Sequence, residues 1–451
     1  MFTKTIAYDE LESFFDGKVK IRALKTYSDK RGYVCETFRL DSDITHDSKM
    51  CYISETAPYV IRGSHQHVSQ RDEFISWKNH MCYMFHNSAT GEVAQYITDP
   101  TKIINVSVEP GISHAYRNID DKPASTLNFP TSLFMGVDKK GEIDEIRHES
   151  KLKDTKVYVV LGAGGRLGKA VTKALFAGMG LANYQVIPIY HKFPNYDTAN
   201  VQTFVDRIKA AAALSESKDV VIINCAGMAN VAKANKNDKS LIWINGDFPL
   251  YLGERCSRAD VKLIHFSSDY VYQKVKEHNV RGKIGDYTNS KQIYEQSIES
   301  LVKANGKSQR NTVILRVANL FSVDANDKIN ILYKLNEKVK TNTAIEQDPN
   351  IKLGPTDVNV IAKWLVENLE NGEVLKNETL VPKFYNLVSG SVYNIPTLIE
   401  KHFNGYNNTK KIESDLEYWF EEFMNDKTVN TVTLPDSEES VKAYLDLIRG
   451  K

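Results

Sequence analysis

Val157–Lys169, VYVVLGAGGRLGK, constrains this chain more than any other stretch. A β-branched run stops at Gly162, and glycines recur at Gly165 and Gly168 ahead of an apolar helical pattern over Ala170–Met179. That order predicts a strand, a tight turn and a helix. Small residues let the backbone approach a dinucleotide pyrophosphate, and the helix N-terminus supplies unpaired N–H groups and a positive dipole end. Gly162, Gly165, Arg166, Leu167 and Gly168 are therefore candidate cofactor-binding residues. Such a unit usually opens its own domain, and this one starts only at residue 157. A separate domain is expected before it.

Composition narrows the function classes. A length of 451 residues fits two or three domains, and 42% hydrophobic with 25% charged residues is ordinary for a core-forming protein. The formal net charge of +1 gives no electrostatic footprint for nucleic acid or an anionic membrane. Cys35, Cys51, Cys82, Cys225 and Cys256 form no C-x-x-C pair and read as free thiols in a reducing compartment. Met1 is followed by no charged-then-apolar leader, and no apolar run approaches about 18 residues. A soluble, cytoplasmic protein is expected.

Residues 1–145 read as all-β. Segments rich in β-branched and aromatic residues (Tyr33–Phe38, Met50–Ser54, Tyr59–Ile61, Phe74–Trp77, Met81–His86, Ile103–Val108, Ser125–Phe129) are separated by Gly, Pro, Asp and Asn turns. That spacing predicts a barrel or sandwich. Residues 146–156 fall in a polar, charged stretch and read as a linker. Over 157–451, strands at Val157–Leu161, Gln185–Tyr190, Val220–Asn224, Lys262–Ser267 and Thr312–Val317 alternate with helical patterns. Alternation of this kind predicts a doubly wound parallel α/β sheet. The segment from about Asn404 is amphipathic and carries no readable motif.

Four stations follow the glycine turn in order. The second strand ends at Tyr190-His191-Lys192 with no carboxylate for a ribose 2′-hydroxyl. Basic residues there suit a 2′-phosphate, which predicts NADPH with NADH as the alternative; a solvated basic loop is the plain reading. Val221–Gly227 is a buried strand ending in small residues, against which a cofactor could lie flat. His265–Tyr270 brings a pair of hydroxyls, Ser267 and Ser268, to the next strand end. Tyr287 and Lys291 form a Y-x-x-x-K pair that shares one helix face. The ammonium lowers the phenol pKa, so the tyrosine can exchange a proton with a carbonyl or alcohol oxygen. A serine hydroxyl can hold that oxygen while hydride arrives from a nicotinamide. Each motif alone is weak, and their order is the signal.

The set resembles the extended short-chain dehydrogenase/reductases, and among them the dTDP-4-dehydrorhamnose reductases. The matching segments are GAGGRLG (162–168), YDTANVQTF (196–204), VIINCAGMANVAKAN (221–235), FSSDYVY (266–272), YTNSK (287–291), ILRVANLFS (314–322), GPTD (354–357) and FYNLVSGS (384–391). The resemblance covers about 157–400 and implies a Rossmann domain with a small substrate-binding subdomain. It implies Ser268, Tyr287 and Lys291 as the catalytic set, with Ser268 where the family usually has threonine. His191, Lys192, Asp197, Asn224, Ala226, Gly227 and Lys291 then join the cofactor site, and Arg316 the substrate site. Gly227-Met228 stands where the family tends to have Ala-Tyr.

In the N-terminal part, Arg62-Gly63-Ser64-His65-Gln66-His67 is the segment to weigh. Strand alternation puts His65 and His67 on one face. Asp72 or Glu73 follows at a hairpin's distance, and Pro110–His114 comes later. Two readings compete. His65, His67, Asp72 and His114 form a three-imidazole, one-carboxylate set suited to Zn, Fe or Ni. Alternatively no metal binds and His65 is a general base; satisfied core histidines are the plain reading. The pattern resembles cupins, whose fold would be a jelly-roll barrel. With Asp29–Tyr33 and Glu36 upstream, it resembles the dTDP-4-dehydrorhamnose 3,5-epimerases. That resemblance implies His65 as base, with Arg31, Glu36, Arg62, His67, His114 and Asn128 around the substrate. Asn128 falls where those epimerases place a proton-donating tyrosine, and asparagine cannot take that part.

The expected protein is bifunctional. A cupin-like domain epimerises a UDP- or dTDP-linked 4-keto-6-deoxyhexose at C3, C5 or both, and a reductase domain reduces the C4 ketone with NADPH. A rhamnose-type 6-deoxy-L-sugar nucleotide, with or without a 2-acetamido group, would result. A homodimer through the cupin domain is implied by resemblance. The alternatives are a keto-sugar isomerase or a non-catalytic nucleotide-sugar-binding module joined to the reductase. In a third, the C-terminal domain is itself an epimerase or dehydratase.

Overall fold

Antiparallel pairing organises the N-terminal part. The computed structural model describes residues 6–42, 44–133, 145–147, 156–178, 184–190, 198–214, 219–228, 239–272, 283–305, 309, 311–347, 352–372, 374, 382–411 and 419–450. One compact unit comprises Met1–Tyr158, Met179–His191 and Arg207–Val220; the other comprises Val159–Gly178, Lys192–Asp206 and Val221–Lys451.

In the first unit a six-stranded sheet has the order Tyr8–Phe14, Val19–Leu24, Ile103–Val108, Asp72–Trp77, Ala124–Asn128, Tyr52–Thr56. A five-stranded sheet has the order Glu145–Arg147, Ile61–His67, Ile112–Asn118, Met81–Asn87, Val93–Ile97. Val19, Ile21, Phe74, Ile104 and Val106 from the first sheet pack with Met81, Tyr83, Phe85, Ile112 and Tyr116 from the second in one buried core. Two antiparallel sheets sharing one apolar interior bear out the all-β expectation and fit a cupin-like fold. Tyr8–Phe14, Val19–Leu24, Thr26–Asp29, Val93–Ile97 and Ile112–Asn118 are strands that the sequence reading did not delimit. Residues 145–147, around the expected start of the linker, pair with Ile61–His67.

The chain's seven-stranded sheet has the order Tyr184–Ile189, Lys156–Leu161, Val220–Asn224, Lys262–Ser268, Thr312–Val317, Lys383–Val388, Asn430–Thr433. Its strands from Val220 onward pair in parallel. Val220–Asn224 and Thr312–Val317 are buried throughout, as strands covered on both faces must be. Order reverses at Lys156–Leu161, and open α/β sheets bind ligands at the carboxyl ends of the strands beside such a reversal. A second core gathers Phe321, Leu332, Leu335, Tyr393, Leu398, Val441 and Tyr444 from the later segments. No described helix is long and apolar enough to cross a membrane.

Candidate functional site

Among the described residues, a polar constellation of functional interest lies in each unit. In the first unit Ile61–His67 carries a bulge. His65 pairs with His114 and Gly63 with Ala115, so Ser64 is an extra residue, with φ of 68°. Gly63 has φ of 87°, and a Cβ there would come 3.0 Å from the His114 carbonyl oxygen. Only glycine lets the two strands approach this closely.

The bulge brings His65 beside His114, with ring centroids 4.8 Å apart, and His67 lies 5.0 Å from His65. Asp72 opens the Asp72–Trp77 strand, and its Oδ2 lies 3.3 Å from His67 Nε2 and 3.4 Å from His114 Nε2. One ligand atom from each of His65, His67, Asp72 and His114 lies within 4.8 Å of the others. Between Asp72 and Glu73, the structure selects Asp72. Glu73 turns to the opposite face, where it accepts from Asn105 and Ser107 at 2.8 Å and pairs with Arg71.

The electrostatics are those of a cation site. Burial opposes ionisation of Asp72, but hydrogen bonds and charge from His114 and His67 hold its carboxyl far below the usual range. His114 Nδ1 lies 3.1 Å from the Ile112 carbonyl, which can only accept. Nε2 therefore faces Asp72 and the cluster, and binding of a cation there would displace its proton and make it the lone-pair donor. Gln70 and Asn128 both donate to Asp72 Oδ1, at 3.0 and 2.8 Å, and fix the carboxylate. This donor set fits a divalent ion of the Zn, Fe or Ni kind.

Asn128 also donates to the Tyr52 hydroxyl at 2.8 Å. Neither Gln70 nor Tyr52 stood out in the sequence, and only strand register, which sets Tyr52 opposite Asn128, would have found the latter. Arg62 bonds the Glu55 carbonyl, Arg31 pairs with Asp29 in its own hairpin, and Glu36 pairs with Arg39.

In the second unit the glycine turn is built as expected from the sequence. Gly162 has φ of 70°, and a Cβ there would lie 2.9 Å from Ala226, at the end of the adjacent strand. Such a cradle is what a pyrophosphate needs. Leu167 is buried, whereas Arg166 turns to Asp327 at 2.9 Å and to the Leu320 carbonyl. Asn224 accepts from the Ala226 N–H at 3.1 Å and lies 3.1 Å from His265 Nδ1. Ser268 donates to Asp269 at 2.9 Å. Lys291 is buried in the Lys283–Asn305 helix; a Cβ added at Gly227 would sit 3.5 Å from its Nζ. Burial pushes its pKa down to about 8, against the attraction of Glu295.

Tyr287 lies on the same helix, and its side chain is outside the described set. His191, Lys192 and Asp197 lie outside the described residues. Arg316 is buried and paired with Glu295 at 2.6 Å. Asn245 sits in a π-turn, Trp243–Asp247, a rare form that concentrates at functional positions. Its side chain bonds both Met228 and Ser290. No periodicity in the sequence announces such a turn.

Residues 156–404 match the model of the RmlD substrate binding domain, and residues 27–140 match the polysaccharide biosynthesis C-terminal domain. A dTDP-4-keto-6-deoxy-D-glucose reductase of Streptomyces niveus is 27% identical over 157 residues, which is 34% of this chain and 50% of that protein. This chain thus spans about half the length of that curated relative. A Haloferax volcanii protein named "Probable low-salt glycan biosynthesis epimerase" is 28% identical over 123 residues, covering 26% of this chain and 79% of its own. Among solved structures, the dTDP-4-dehydrorhamnose reductase of Bacillus anthracis in complex with NADP aligns at a TM-score of 0.44. It shares 18% identity and covers 64% of this chain and 97% of that one.

Proposed function

This chain belongs to the RmlD substrate binding domain family, and from that premise we propose a bifunctional nucleotide-sugar enzyme. Its C-terminal part reduces the C4 ketone of a UDP- or dTDP-linked 4-keto-6-deoxyhexose, and its N-terminal part, a jelly-roll cupin, first epimerises that sugar. The observation that carries the reduction is the buried Lys291 beside Gly227, next to the Ala226 that closes on Gly162, on the helix that also bears Tyr287.

The glycine cradle would hold the pyrophosphate of NADPH, which when bound supplies hydride to the ketone carbon. Ser268 donates a hydrogen bond to the ketone oxygen. Tyr287 gives that oxygen its proton, and the Lys291 ammonium lowers the cost of the phenolate left behind. Asn245 fixes the backbone at Met228 and the hydroxyl of Ser290, and so keeps the lysine's turn of helix against the strand ends.

In the N-terminal unit the geometry favours the four-donor reading over a free His65 base. His65, His67, Asp72 and His114 would hold a divalent cation, whose chemistry would be to polarise a sugar carbonyl and acidify the adjacent C–H groups. Asn128 and Gln70 hold Asp72 in position for it. In the metal-free alternative His65 itself removes the C3 or C5 proton.

Product NMR after incubation with UDP- and dTDP-linked 4-keto-6-deoxy sugars in D₂O, with and without NADPH, tests both halves. Deuterium at C3 or C5 before reduction, and a reduced C4 when NADPH is present, are expected. Retained deuterium exchange with no NADPH oxidation on any such substrate refutes the reductase; the converse refutes the epimerase and leaves a binding module.

A further inference from the structure

The Lys283–Asn305 helix carries a third polar residue in line with its tyrosine and lysine. Glu295 follows Lys291 by one turn and Tyr287 by two, on the same face, and is buried. Its carboxylate is held from two neighbouring strands. Arg316 donates Nη2 and Nε to Oε2 at 2.6 and 3.1 Å, and Ser267 donates to Oε1 at 2.6 Å. Ser267 precedes Ser268 on the same strand.

Beyond Arg316 the polar chain continues. Its Nη1 donates to the Tyr272 hydroxyl at 2.6 Å, and its guanidinium lies over the Tyr272 and Phe384 rings. Tyr272 donates to Asp426 Oδ2 at 2.6 Å, and Asn386 donates to Tyr272. Asp426 follows the Trp419–Asn425 helix and is fixed by Thr428. A segment with no readable motif thus closes a hydrogen-bonded chain that starts on the tyrosine–lysine helix.

We infer that Glu295 is a positioning residue of the reductase: anchored by Arg316 and Ser267, its carboxylate keeps the buried Lys291 ammonium charged and the tyrosine–lysine helix in register with the Ser268 strand. This rests on the reductase reading. Among described side chains, two titratable groups face Lys291. His265, on the adjacent strand, is kept neutral by burial and by the lysine's own charge. Glu295 is the anion that acts on it, opposing the burial that draws Lys291 down to about 8. Arg316, on the far side of Glu295, is a guanidinium that does not release its proton. Without the Glu295 carboxylate, an ammonium in a dry site loses its proton more readily.

Glu295→Gln in the full chain keeps the shape and an oxygen acceptor while removing the charge. The pH profile of kcat/KM for NADPH-dependent ketone reduction should fall on its alkaline limb about one unit earlier, a loss of roughly fivefold near pH 8 that approaches tenfold above it. Ser267→Ala should leave the limb in place, and Glu295→Asp should restore it; loss of packing alone lowers the whole profile without moving the limb. A second readout needs no turnover: the pH midpoint of competitive acetylation of Lys291 by acetic anhydride, followed by mass spectrometry. A midpoint near 8 in the wild type that drops in Glu295→Gln supports the inference even if no ketone is reduced, in which case the reductase reading alone fails. A wild-type midpoint above about 10, or one unmoved by Glu295→Gln, overturns the inference.

Discussion

Glu73 offers a direct test of the electrostatics behind the histidine cluster. It is 1% exposed, and burial pushes its carboxyl up from 4.5 to about 7 despite help from Asn105, Ser107, Arg71 and Arg22. Between those two pH values the folded state holds a proton that the unfolded chain has released. Stability therefore falls as pH rises through this window, by about 1.4 kcal/mol per unit and about 3 kcal/mol in all. Asp72 works in the opposite sense: its depressed carboxyl stabilises above the unfolded value of 3.8 and that contribution is lost only at lower pH. The interval from pH 4.5 to 7 isolates Glu73 from it. Glu73→Gln has no proton to lose, so its stability relative to the wild type should rise by about 3 kcal/mol on going from pH 4.5 to 8. Hydrogen exchange of amides in Asp72–Trp77 and Ile103–Val108, read by mass spectrometry, reports the opening free energy of this sheet without requiring two-state unfolding of the whole chain. An equal free-energy difference between variant and wild type at both pH values would show that Glu73 is already ionised at low pH and that burial does not govern it.

Three further outcomes are expected. Asp72→Ala should cut the zinc, iron or nickel retained on purification from about one equivalent to below a tenth, by elemental analysis, because it removes the only carboxylate of the set; unchanged metal content places the ion elsewhere. Gly162→Ala forces a positive φ on a side chain whose Cβ meets Ala226 at 2.9 Å, so NADPH affinity measured by fluorescence titration should drop at least tenfold. Wild-type affinity there would mean the turn is not the phosphate cradle. Ser268→Ala should lower kcat of ketone reduction by about 10²–10³ with little change in nucleotide affinity, and an unaltered kcat would remove Ser268 from the oxygen-holding part.

Local demands were readable and non-local ones were not. The turn at Gly162–Gly168 announces itself because backbone approach excludes every larger residue there. His65 and His67 could be paired from strand alternation alone. Adjacent Asp72 and Glu73 could not be separated, because alternation says they differ in face and not which face is which. That choice is made by Ile103–Val108, where Ser107 sits opposite Glu73 and takes its carboxylate. Arg316 reads as a substrate contact by resemblance, and only the fold shows it bonded to Glu295 across adjacent elements. Ile112–Asn118 escaped as a strand because all seven of its residues are buried, four of them polar, so neither apolar content nor alternation marks it.

The bulge at Ser64 has a consequence for parity. Arg62 and His65 are three apart, an odd interval, and in an unbroken strand they would face opposite sides of the sheet. On the partner strand, Arg62 pairs with Tyr116 and His65 with His114, an even interval, so the inserted residue converts odd to even and gives both side chains one face. Deleting Ser64 alone would turn either the arginine or both histidines to the other face of the sheet, whereas exchanging its side chain would not. At this point in the strand the number of residues matters more than their identity.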